Sequence, residues 1–217
     1  AAPEKAFQLQ DCGARILLAD AATAAQLEPL RAALPVLAHV LDMEPGEAPN
    51  GWLRLVEESL GAPRPAVAID PSAPAGIAYT SGTTGRPKGA VHSQHNMAVV
   101  AAATLSGLRG PQWHGGIRQG VTHALTTLNM MILDPVTALA GGGTCICMDR
   151  TDAIGIAEWV RQERIEHFVA APATIFDLLT KPEIDPAALT SLKFTTSGGA
   201  NVPDELRKLY AERFGRP

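Results

Sequence analysis

Short apolar runs alternate with amphipathic stretches along nearly the whole chain, and this alternation limits the fold more than any other feature. Arg15–Ala19 (RILLA) is a strand, followed by a helix over about Ala21–Ala33. Val36–Val40 is a second short strand and Trp52–Leu60 a helix. Pro45, Pro49, Pro63, Pro65, Pro71 and Pro74 punctuate the region around it. Ile77–Thr80 is a strand that runs into a Ser/Thr/Gly-rich loop; Gly89–His92 is extended again, and Ser93 is placed to cap a helix. Residues 107–120 (GLRGPQWHGGIRQG) are irregular. Val121–Leu128 is a strand, and a helix continues to about Ala140, where Gly141, Gly142 and Gly143 end it. Then come a strand at Thr144–Met148, an amphipathic helix at Asp152–Arg164 and a strand at Glu166–Ala171. Thr174–Thr180 is a short helix, Leu192–Thr196 a strand, Ser197–Ala200 a turn, and Pro203–Phe214 a helix. Strands alternating with helices predict an α/β fold: parallel-sheet subdomains flanked by helices. Ligands of such sheets sit at the carboxyl ends of strands, and both Ser/Gly-rich loops follow strands directly.

Composition narrows the function. Lys and Arg number 18 against 22 Asp and Glu, a formal net charge of −4, which argues against a polybasic nucleic-acid binder. With 46% hydrophobic and 18% charged residues the chain can pack a core, and with 5% aromatics that core is built from Ala, Val, Leu and Ile. Cys12, Cys145 and Cys147 do not make a disulfide framework. Cys145 and Cys147 share one face of a strand and are expected to be reduced core residues of a cytoplasmic protein. The longest apolar run, Met97–Ala103, is too short for a transmembrane segment. The chain opens at Ala1 in mid-element and stops at Pro217 just after a helical segment, so both ends are expected to be cuts in a longer polypeptide.

The strongest chemical signal is the eleven-residue stretch Tyr79–Gly89, YTSGTTGRPKG. Gly82, Gly85 and Gly89 permit close backbone approach and unusual dihedrals. Hydroxyls of Thr80, Ser81, Thr83 and Thr84 join the backbone N–H groups as donors, and Lys88 supplies positive charge. A polyphosphate cradle needs these groups. It is not a Walker A loop, because Pro87 precedes Lys88 and Gly89, not Ser or Thr, follows it.

This stretch resembles the phosphate-binding loop of the adenylate-forming (AMP-binding) superfamily: acyl-CoA synthetases, adenylation domains of non-ribosomal peptide synthetases and luciferases. Gly89–Ser93 (GAVHS) resembles the strand after that loop, and Ala140–Thr144 (AGGGT) the small-residue turn before the next strand. Thr196–Ala200 (TSGGA), then Pro203 and a helix, resembles the segment beside adenine and the acyl group. The resemblance covers about Phe7 to Pro217 and implies part of one AMP-binding N-terminal domain, with about 1–75 and 76–217 contributing to two α/β subdomains.

It further implies ATP-dependent activation of a carboxylic acid to an acyl-adenylate, then transfer to coenzyme A. Thr80, Ser81, Gly82, Thr83, Thr84, Gly85 and Lys88 would bind the β- and γ-phosphates, with Lys88 as the catalytic charge; Ser197, Gly198, Gly199 and Ala200 would line the nucleotide and acyl site. The partners implied are a small carboxylic acid, ATP with Mg2+, and coenzyme A. The family's Gly-Tyr-Gly-x-Thr-Glu segment, which helps bind AMP and magnesium, is not in this chain, so the metal ligand is expected outside it. The ribose-binding Asp, the hinge and the C-terminal domain with its catalytic Lys are likewise not in it. Where relatives often read Leu-Pro-Leu-Phe-His, this chain reads LTTLNM over Leu125–Met130, with Asn129 in the His position. Asn129 is expected to be either a strand-end cap or an acyl-pocket contact.

Other candidates have plainer readings. His92 and His95 lack a third metal ligand. His114 lies in a Trp/Gly loop, while His123 and His167 fall in strands as satisfied core or edge residues. Asp149–Asp152 is a strand exit and helix cap, and Glu158, Arg161, Glu163 and Arg164 form a solvated helix face. Ser81 lacks the Gly-x-Ser-x-Gly elbow of a hydrolase nucleophile. The expectation is therefore a fragment of an AMP-forming acid–thiol ligase, a bacterial acyl-CoA synthetase of fatty acid metabolism. The rivals are an amino-acid adenylation domain loading a carrier protein and a non-catalytic truncated nucleotide-binding module.

Overall fold

The computed structural model describes residues 1–44, 51–80, 86–108, 116–198 and 200–215. These form two compact units, residues 1–94 and 95–217.

In the first unit, α1 (Ala2–Asp11) leads to β1 (Ile16–Ala19), α2 (Ala21–Leu27) and β2 (His39–Asp42). The strands pair in parallel from Ile16↔His39 to Ala19↔Asp42. Asp20 caps α2: its carboxylate accepts from the Thr23 backbone N–H at 2.6 Å, which holds it below the usual carboxylate range. Pro29 then turns the helix into a 3-10 segment, Glu28–Ala33. The second strand lies later than the Val36–Val40 the apolar run suggested. Leu34 and Leu37 are buried (2% and 3% exposed) on either side of a turn, so those residues serve packing before the chain extends. After α3 (Trp52–Glu58), β3 (Pro74–Thr80) and β4 (Lys88–Ser93) form an antiparallel pair. The Tyr79 hydroxyl reaches α1, and the Gln94 N–H reaches the Ala73 carbonyl at 3.1 Å; these contacts keep the pair in the first unit. The division between the two units accordingly falls after Gln94.

The second unit opens with α4 (Gln94–Ala103) and carries a four-stranded sheet of β5 (Arg118–Val121), β6 (Thr144–Cys147), β7 (His167–Ala170) and β8 (Thr196–Ser197). The order is β6-β5-β7-β8, with every pair parallel. The connections are α5 (Leu128–Met131), a π turn through Pro135 and α6 (Thr137–Ala140), then α7 (Ala153–Glu163) and α8 (Pro172–Thr180). Helix α9 (Asp204–Phe214) follows β8. Ala153, Ile156, Ala157 and Val160 make the buried stripe of α7, at the i, i+3, i+4, i+7 spacing of an amphipathic helix. They pack with Ile165, Phe168, Ile175 and Leu178, and Ile156, Val160, Ile165 and Phe168 are fully buried. Asp152 caps α7 as expected, accepting from the Ile154 and Gly155 N–H groups at 3.1 Å each.

Three expectations are corrected here. The strand expected at Val121–Leu128 is Arg118–Val121, inside the stretch that reads as irregular. Gln119 is fully buried there, donating to Asp134, and Gly120 leaves no room for a side chain. A Cβ on Gly120 would stand 2.9 Å from Met148 Cε and 3.0 Å from Ile165 Cδ1. A polar residue and a glycine thus occupy a central strand because one is paired and the other is small. The strand expected at Leu192–Thr196 shrinks to Thr196–Ser197, since the Lys193 and Phe194 N–H groups both turn to the Glu166 carbonyl. Finally, the three cysteines are free, as expected, but Cys147 is exposed on edge strand β6 and not in the core. Cys145 is half-buried; that burial, and then the Cys147 thiol, push its own thiol up to about 12.

The Gly141–Gly143 turn behaves as its composition predicts. Gly142 has φ +72°, and a Cβ on Gly143 would lie 2.5 Å from the Ile117 carbonyl oxygen.

Glu166 ties three segments at the amino end of the sheet. Its carboxylate accepts from the Arg118 N–H at 3.0 Å and pairs with Lys193 Nζ at 2.7 Å. Burial alone would raise its pKa, but these partners outweigh it and hold the carboxyl below its usual value. Because the folded pKa lies below the unfolded one, this contribution is present above the unfolded value. It is lost as pH falls through the folded one. Glu166→Gln is expected to lower stability by about 1–3 kcal/mol near neutrality. The difference from wild type should shrink as urea unfolding is repeated at progressively lower pH below 4.5.

Candidate functional site

The Tyr79–Gly89 stretch bridges the open end of the β3–β4 pair. Thr80 and Lys88 are direct cross-strand partners, so the last hydroxyl before the loop and the cation after it stand opposite each other at its mouth. Both are exposed. Ser81, Gly82, Thr83, Thr84 and Gly85 lie outside the described residues.

One step back from the mouth, Tyr79 pairs with Gly89. The tyrosine ring lies over the glycine: a Cβ at position 89 would stand 3.1 Å from Tyr79 Cζ and 2.8 Å from Ile77 Cγ2. From there the Tyr79 hydroxyl donates to Asp11 Oδ2 at 2.6 Å and, more weakly, to the Gln8 carbonyl at 3.4 Å, both on α1. Desolvation, followed by the Asp11 carboxylate, pushes the phenol well above its usual range, so it remains a donor. Beyond the loop, the Arg86 guanidinium sits 6.0 Å from the centre of the Phe7 ring, also on α1.

In the second unit Ser197, expected to open a turn, is the last residue of β8. Ser197 pairs with Ala170 of β7, and its hydroxyl donates to the Ala170 carbonyl at 3.1 Å. Gly198 is exposed, and a methyl group there would meet nothing within 4 Å, so the chain's own packing does not require a glycine. Gly199 lies outside the described residues; Ala200 is exposed. Ala200 stands at the lip of an apolar groove of about 820 Å3 between α8 and α9, at the carboxyl ends of β7 and β8. Pro172, Phe176, Pro203 and Leu209 line it. Sequence reasoning missed this groove; its signal was Phe176, an exposed aromatic on a short helix.

The remaining candidates are placed plainly. Asn129 is exposed in the first turn of α5, not at a strand end: β5 stops at Val121, so the strand-end reading is corrected. His123 likewise follows the strand, with Nδ1 2.9 Å from Thr122 Oγ1. His167 is a buried strand residue as expected, bonded to Thr196 Oγ1 at 2.9 Å and packed on Phe194 at 4.5 Å. His114 lies outside the described residues. Among the described residues no three His, Cys, Asp or Glu side chains gather as a metal site, and no helix is long and apolar enough to cross a membrane.

An antiparallel pair in one unit and a helix-flanked parallel sheet in the other define a mixed α/β protein. The chain belongs to the AMP-binding enzyme family, which matches residues 1–217. It is 32% identical over 216 residues to an indoleacetate–CoA ligase of Aromatoleum aromaticum, a match over 95% of this chain and 40% of the relative. It is 30% identical over 223 residues to the long-chain-fatty-acid–CoA ligase FadD13 of Mycobacterium tuberculosis, over 98% of this chain and 41% of the relative. Its backbone superposes on the crystal structure of the anthranilate CoA ligase AuaEII in complex with anthranoyl-AMP, with a TM-score of 0.81 at 21% identity. That superposition covers 99% of this chain and 42% of the other. The chain thus spans about 40% of the length of these relatives.

Gly89→Ala is expected to crowd Ile77 Cγ2 first and the Tyr79 ring second, at a cost of about 1–3 kcal/mol for the overpacked contacts. Denaturant unfolding should show the loss, and it should shrink when Ile77 and Tyr79 are both truncated to Ala.

Proposed function

We propose that the protein carrying this chain activates a carboxylic acid with ATP and passes the acyl group to coenzyme A. The observation that carries this reading is the cross-strand pairing of Thr80 with Lys88 at the mouth of a Ser/Thr/Gly loop. Support comes from the family match and from similarity to proteins named as CoA ligases for an indole acid and for long-chain fatty acids.

In the first step a carboxylate oxygen attacks the α-phosphorus, the bond to the β-phosphate oxygen breaks, and pyrophosphate leaves. Lys88 and the hydroxyls and amides of residues 80–85 would hold the β- and γ-phosphates and offset the charge that develops on the leaving group. In the second step the thiol sulfur of coenzyme A attacks the acyl carbonyl, AMP departs with the bonding pair, and the thiol proton is released. Gly198 and Gly199 would leave room for a flat base or an acyl chain against backbone, and the α8–α9 groove carries an apolar lining suited to the acid. Asn129 is retained as an acyl-pocket contact. Mg2+ would accompany the nucleotide and supply charge neutralisation on its phosphates, with its protein ligand outside this chain. The chain is part of one N-terminal AMP-binding domain in a cytoplasmic enzyme.

The test is acid-dependent exchange of labelled pyrophosphate into ATP by the intact enzyme, across aryl, fatty and amino acids. Exchange with aryl or fatty acids is expected, and exchange with amino acids alone would point to carrier loading instead. Exchange with no acid would overturn the reading. Lys88→Ala is expected to slow exchange by about a hundredfold, the cost of one charge-stabilising donor, while AMP binding changes little. Equal losses for ATP and AMP would contradict the phosphate role.

A further inference from the structure

We propose that α1 is a tether for the phosphate loop, with Asp11 as a positioning residue that acts through Tyr79. The inference rests on the adenylation reading above and adds a residue set that lies about seventy positions upstream of the loop.

Three observations converge. First, α1 touches the chain on both sides of residues 81–85. Asp11 and the Gln8 carbonyl take the Tyr79 hydroxyl just before the loop, and Phe7 lies under Arg86 just after it. Second, Asp11 is the last residue of α1, where the helix's own partial negative charge disfavours a carboxylate, and no basic residue occupies that turn. The helix gains nothing from an acid there; the tyrosine hydroxyl gains a charged acceptor at 2.6 Å. Third, the ring lies over its cross-strand partner Gly89, where a Cβ would stand 3.1 Å from Tyr79 Cζ and press on it. Tyr79 adjoins Thr80, and Gly89 adjoins Lys88, so fixing the ring against α1 fixes the register of the two groups at the loop mouth. A loop held in register before ATP arrives loses less freedom on binding it.

Tyr79→Phe, Asp11→Ala, Asp11→Asn and the double variant Asp11→Ala/Tyr79→Phe separate this from a merely structural contact. In the intact enzyme, Tyr79→Phe and Asp11→Ala are each expected to raise KM for ATP about three- to tenfold, the net scale of one lost hydrogen bond. KM for the acid should stay nearly constant. The double variant should be no worse than the poorer single one, because both remove the same contact. Asp11→Asn, whose amide oxygen still accepts from the hydroxyl, should recover most of the loss. Hydrogen exchange of the β3 and β4 amides, read without substrate, should quicken in Asp11→Ala and Tyr79→Phe but not in Asp11→Asn.

ATP and acid constants rising together, additive losses, or no rescue by Asn would overturn the tether while leaving the adenylation reading intact. Unchanged amide exchange in both single variants would overturn it even if the wild type exchanged no pyrophosphate, an outcome that would separately end the adenylation reading.

Discussion

Two parallel strands cannot be joined by a tight turn, and that constraint organises this molecule. Each parallel neighbour must be reached by a crossover, so β1 passes through α2 to β2, and β7 through α8 to β8. The helices follow from the pairing, and their apolar stripes from the sheet they cross. Among the described residues one pair, β3 with β4, is antiparallel and escapes the constraint. Its ladder brings Thr80 and Lys88, the flanks of the Ser/Thr/Gly sequence, face to face.

This economy explains the contrast between the two units. In the second, the sheet carries the burden of the core: Phe168 and Ile165 are fully buried, and Gly120 is small because Met148 and Ile165 crowd it. At the carboxyl ends of β7 and β8 an apolar groove opens between α8 and α9. In the first unit little is buried. The β3–β4 pair is held instead by a few directed contacts, most of them to α1.

Much of this was legible in the sequence. The α/β class followed from alternation, and α7 from its apolar stripe and Asp152 cap. What was not legible has specific causes. Strand β5 was read three residues late because Gln119 and Gly120 look like loop residues; only the Asp134 partner and the crowding around Gly120 show why they are buried. The strand before Ser197 was read too long because Leu192 is apolar for the core and not for the ladder. Asp11 was passed over because its partner lies 68 residues away, a separation that no local pattern records.

The tyrosine lying over Gly89 has a consequence for how such a chain can change. A side chain gained at 89 would press on Ile77 and on the ring at 79, so the hydroxyl that α1 receives depends on the size of the residue ten positions further on. Two positions ten residues apart are thereby tied to a third that lies 68 residues before the first of them.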